Sequence, residues 1–134
     1  LPHEIAGLAA TLQVVRGSDD ARRRLHATTA RVRACLSDLG YPIHQGSEQI
    51  IALEAGLEPD TMALRDRLEE HGIFGAVFCA PATSRNRSLV RLTLSASLTE
   101  AEICHVEQAA KAVAPLVKPW EWPIARRGRA QAMD

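Results

Sequence analysis

The run SLVRLTLSAS, residues 88–97, constrains this chain more than any other stretch, because apolar and polar positions alternate along it. Successive side chains of a strand point to opposite faces, so Val90, Leu92, Leu94 and Ala96 share one face and Leu89, Arg91, Thr93 and Ser95 the other. Burying the apolar set contributes about 1.5 to 3 kcal/mol per large side chain. A slip of one residue would drive the Arg91 guanidinium into the core, which pins the facing of the strand. The second face then meets water, another domain or a ligand.

The remaining elements follow from periodicity and punctuation. Ile5, Leu8, Leu12 and Val15 recur at helical spacing and predict a helix over 2–16, with Gly17 as its stop. Ser18, Asp19 and Asp20 are suited to cap a second helix whose stripe is Leu25, Thr29, Val32, Leu36 and Leu39, opposite Arg22, Arg23 and Arg24. Gly40 ends it. QIIALEA reads as a strand, GLEPD breaks it, and Pro59 or Asp60 opens a helix carrying Met62, Leu64 and Leu68 as far as Gly72. IFGAVFCA reads as a strand apolar on both faces, hence one covered on both. PATSRNRS is a polar loop leading into the alternating run. Thr99 and Glu102 form a capping box for a last helix with the stripe Ile103, Val106, Ala110 and Val113, ended or kinked by Pro115. In the remainder, KPWEWPIARRGRAQAMD, Trp120 and Trp122 either anchor the segment on a surface or belong to a solvated flap, and Arg126, Arg127 and Arg129 read as a mobile basic end. The order describes an α+β layer: a small sheet with helices packed on one face.

Bulk properties narrow the function. At 134 residues the chain has the length of one domain. Sixteen basic residues balance sixteen acidic ones, so no net field favours nucleic acid or an anionic membrane. Apolar runs fall far short of the roughly 20 residues that span a bilayer, and the first residues lack a signal peptide's basic start, so the expected location is cytoplasmic. Cys35, Cys79 and Cys104 show no CxxC pair and read as reduced, mostly buried thiols. The glycines form no GxGxxG loop, and His3, His26, His44, His71 and His105 have no metal-ligand spacing. Cys104 and His105 are helix neighbours about 100° apart and do not face each other. Lys111 lies late in the last helix and Lys118 beyond it, neither in the apolar setting of a Schiff-base lysine. Arg91 remains. Its planar fork of donors matches a carboxylate, but pattern alone favours a structural salt bridge or a solvent-facing side chain, since ordinary edge strands carry such residues.

The segments LPHEIAGLAATLQVV, QIIALEAG and ALRDRLEEHGIFGAVFCAPATSRNRSLVRLTLSASLTEAEI resemble, in order and spacing, the C-terminal part of the α-oxoamine synthases. These are fold-type I, pyridoxal-phosphate-dependent acyltransferases. Within them LPHE and SLVRLTLSASLT are most similar to the α-hydroxyketone quorum-sensing autoinducer synthases. The resemblance implies a small C-terminal domain over 1–117 with a mainly antiparallel sheet, then a tail over 118–134. It implies that Arg91 binds the carboxylate of the amino-acid substrate, and that acyl-CoA is the second substrate of a homodimeric intact enzyme. Where biotin-pathway members carry another arginine, this chain has Leu89, which argues against an 8-amino-7-oxononanoate synthase. An oxononanoate synthase or aminoketobutyrate ligase is the alternative within the family; a free-standing carboxylate-binding regulatory module and a purely structural dimerisation domain are the alternatives outside it. The family's Schiff-base lysine and phosphate loop precede this region. The 134 residues, opening at Leu1 on a helix-like segment, are therefore expected to be a piece of a longer enzyme, to hold no pyridoxal 5'-phosphate of their own and to be inactive alone.

Overall fold

A computed structural model describes the backbone of residues 2–43 and 49–133, and the side chains of 19–43 and 49–130. The chain runs through α1 (Pro2–Asp38), β1 (Ile50–Gly56), α2 (Glu58–Glu70), β2 (Ala76–Phe78), β3 (Ser88–Thr93) and α3 (Glu100–Val117). A 3-10 turn (Pro119–Glu121) and α4 (Pro123–Met133) follow. The strands form an antiparallel sheet in the order β1-β3-β2, so β3 is central. This is the α+β layer that the element order implies.

The alternation in β3 is realised as burial. Val90, Leu92 and Leu94 are buried whereas Arg91, Thr93 and Ser95 are exposed. Leu94 lies just past the strand and stays in register because its N–H donates to the Gln49 carbonyl at 2.9 Å. Ile51 and Leu53 join this inner face from β1. Over it pack Val32 and Leu36 of α1, Leu64 and Leu68 of α2, and Ile103, Ala110 and Val113 of α3. Arg31 fastens α1 to α3, donating to both carboxylate oxygens of Glu100 at 2.8 Å and to Glu107 at 2.7 Å.

Several local expectations give way to packing. α1 runs unbroken through Gly17, where two helices were expected. A glycine inside a helix costs only about 1 kcal/mol, too little to end it, and Asp19 and Asp20 pair with Arg22 and Arg23 one turn on. The stripe Ile5, Leu8, Leu12 and Val15 lies outside the residues with described side chains, as do His3 and His44. β2 is not covered on both faces: it is a three-residue edge strand with Ala76 exposed and Val77 and Phe78 half-buried. Among the described residues it pairs on one side only, and nearby Phe74 is 76% exposed. Pro115 does not end α3, which continues to Val117 and stops where Lys118 turns left-handed at φ 48°. One lost backbone bond is offset by the buried positions Val113 and Ala114 on the same helix. The three cysteines are free thiols, half-buried rather than buried.

Beyond Val117 the described residues pack against the rest of the fold. Trp122 is 3% exposed and lies in the core cluster, with its ring edge-on to Tyr41 at 5.9 Å. Tyr41 in turn donates to the Ala110 carbonyl at 2.9 Å. Neither a solvated flap nor a mobile basic end describes these residues: α4 packs on β1, Arg127 pairs with Glu54, and Arg129 donates to the Trp120 carbonyl. Among the described residues, no helix is long and apolar enough to cross a membrane.

Candidate carboxylate site

The outer face of the sheet is set by strand register. Glu54, Leu89 and Phe78 lie across from one another in one row, Ala52, Arg91 and Ala76 in the next, and Ile50 and Thr93 in a third. Arg91 is therefore in the middle of the face, on the central strand. Its guanidinium carbon lies 4.5 Å from the centroid of the Phe78 ring, a cation–π contact across the diagonal of the β2–β3 pair. Among the described residues no carboxylate forms an ion pair with it. Of the ordinary explanations, the structural salt bridge thus fails among those residues, whereas Arg91 is a solvent-facing side chain, though on the central strand rather than on an edge.

Glu54 is the acidic residue of the same rows. Its side chain is only 11% exposed, and it accepts from Arg87 Nε at 3.0 Å and from Arg127 at 3.5 Å. Both arginines reach it from outside β1, Arg87 from the loop before β3 and Arg127 from α4. Sequence reasoning missed Phe78 and Glu54. Their strand parity was readable, but the pairing that brings them beside Arg91 is a long-range property of the sheet.

The other candidates are dispersed. Cys104 and His105 turn to different partners, Cys104 to Arg31 and Glu100 and the His105 ring to the His71 carbonyl. Lys111 and Lys118 are exposed, on α3 and at its end. Among the described residues no cluster of three or more His, Cys, Asp or Glu side chains could hold a metal ion. A shallow groove of about 300 Å³, lined by Arg24, Thr28, Arg31, Ala96, Leu98 and Glu100, lies between α1 and the start of α3, on the helical side of the sheet. Its Arg31 already carries two glutamates, and hydrogen bonding to Arg31 lowers the Glu100 pKa. The Cys35 thiol is pushed up by burial.

Fold and sequence together define the class: the chain matches the C-terminal part of the α-oxoamine synthases, fold-type I pyridoxal-phosphate-dependent acyltransferases. It is 44% identical over 106 residues to the CAI-1 autoinducer synthase of Vibrio campbellii, covering 79% of this chain and 27% of that protein. It is 32% identical over 124 residues to the 8-amino-7-oxononanoate synthase of Anaeromyxobacter dehalogenans, covering 92% and 31%. Among solved structures, serine palmitoyltransferase (SPT) with the PLP internal aldimine matches at a TM-score of 0.71 and 20% identity, over 76% of this chain and 26% of that one. That likeness establishes the fold. The chain spans between about a quarter and a third of the length of the curated relatives it matches. No family model matches it.

Proposed function

We propose that Arg91 binds the carboxylate of an amino-acid substrate, and that these residues are the carboxylate-binding portion of a pyridoxal-phosphate-dependent acyl-CoA:amino-acid C-acyltransferase of the autoinducer synthase type. The observation that carries the reading is the placement of Arg91: a guanidinium on the outer face of the central strand, backed by Phe78, with no carboxylate partner among the described residues. The higher identity to an autoinducer synthase and the presence of Leu89 support that subfamily over an oxononanoate synthase.

The described residues fit the substrate's carboxylate rather than the cofactor. Both lysines are exposed on or just after α3, a helix packed over the inner face. Pyridoxal phosphate, held by residues outside these 134, would supply the electron sink for carbon–carbon bond formation with the acyl-CoA. Arg91 contributes orientation: two parallel donors on the carboxylate fix the angle at which the amino acid's α-carbon is presented. On this reading the intact enzyme is a cytoplasmic homodimer and the 134 residues alone are inactive.

Removing one partner of such a charge pair costs roughly 2 to 5 kcal/mol, and about 1.4 kcal/mol is a factor of ten. Arg91→Ala in the full-length enzyme is expected to weaken amino-acid use by more than about tenfold and to leave acyl-CoA binding nearly intact. Unchanged amino-acid kinetics would sink the assignment. Tight amino-acid binding by the 134 residues alone, measured by calorimetry, would instead favour a free-standing regulatory module.

A further inference from the structure

The outer face of the sheet holds its own competitor for Arg91. Glu54 lies opposite Leu89, and Arg91 is two residues on from Leu89, so the two charged side chains are diagonal neighbours on one face of an antiparallel pair. Such positions are about 7 to 8 Å apart, within reach of long side chains. A largely buried carboxylate needs a cation, and Arg91 is the cation the sheet itself offers. Yet Glu54 turns the other way. Oε1 accepts from Arg87 and Oε2 from Arg127, so both oxygens are occupied. On the opposite flank Phe78 holds the Arg91 guanidinium toward β2, away from β1. Two arginines on one carboxylate also leave a net positive charge beside Arg91, which attracts an incoming anion.

We infer that Arg87 and Arg127 are positioning residues that sequester the Glu54 carboxylate and thereby keep Arg91 available to the substrate. The inference rests on the carboxylate-binding reading of Arg91 and adds residues that act through it. Without the two arginines, Glu54 pairs with Arg91 and the substrate has to displace it.

The test is steady-state kinetics on the full-length enzyme carrying Arg87→Gln and Arg127→Gln together, with and without Glu54→Gln. Because Arg91 is itself exposed, its pair with Glu54 is a weak competitor, so the double variant raises the amino-acid KM by about fivefold, equivalent to about 1 kcal/mol, relative to the acyl-CoA KM. Adding Glu54→Gln removes the competitor and restores the amino-acid KM. If the arginines are only a structural strap, the amino-acid and acyl-CoA KM values shift together and Glu54→Gln does not restore their ratio, which overturns the inference. An unchanged amino-acid KM in the double variant overturns it too. Should that variant fail to fold, Arg127→Gln with and without Glu54→Gln gives the same comparison. Arg91→Gln, assayed alongside, separates the two levels. If it raises the amino-acid KM while the double variant does not, only this inference falls; if it has no effect, the carboxylate reading falls and takes this one with it.

Discussion

Phe78 presents its ring to the Arg91 guanidinium at 4.5 Å, so it both orients the fork and limits its swing. An exposed cation–π pair is worth about 0.5 to 1 kcal/mol, and about 1.4 kcal/mol is tenfold. In the full-length enzyme Phe78→Leu is therefore expected to raise the amino-acid KM roughly two- to fivefold, with the acyl-CoA KM as internal control. An unaltered ratio of the two would show that the ring plays no part in holding the arginine. The facing of Arg91 was legible in the sequence, because parity along a strand needs only its neighbours Val90 and Leu92. The ring beneath it was not. Phe78 belongs to an apolar run whose pairing with β3, in the register Phe78↔Leu89, depends on residues far along the chain.

At the level of elements, α3 begins with interactions confined to four residues. Thr99 Oγ1 accepts from the Glu102 N–H at 3.1 Å, and the Glu102 carboxylate accepts from the Thr99 N–H at 3.0 Å. That backbone bond lowers the Glu102 pKa, as hydrogen bonding to Arg31 does for Glu100. A carboxyl whose folded-state pKa is depressed contributes stability that is fully present above the usual carboxylate range and is lost as pH falls through the folded-state value. Thermal unfolding followed from neutral pH downward should show this acid-side loss, and Glu102→Gln, which keeps the reach but cannot ionise, should make it shallower. Thr99→Ala is expected to cost about 1 kcal/mol at neutral pH. The capping box was readable because it is local. Gly17 was misread for the complementary reason, and of the two outcomes expected at Pro115 an end to the helix does not occur: each residue carries a local penalty, and neither ends its helix.

For the molecule as a whole, the decisive packing comes from the segment after Val117. Trp122 is buried against Tyr41, whose hydroxyl donates to the Ala110 carbonyl, so this tryptophan closes the core rather than trailing from it. Trp122→Ala is expected to cost about 3 to 5 kcal/mol, read from denaturant unfolding, whereas truncating a surface flap would change stability by less than about 0.5 kcal/mol. The sequence by itself determined the α+β class, the inner and outer faces of β3, the stripes of α2, α3 and the later part of α1, and the start of α3. All of these rest on periodicity or on contacts a few residues apart. Only the tertiary structure decided that β3 is central, that β2 is an edge, that Trp122 belongs to the core, and that Glu54 is held by Arg87 and Arg127 beside an Arg91 that meets no carboxylate among the described residues. Those outcomes depend on which distant segments meet, and no local pattern encodes a strand's partner or register.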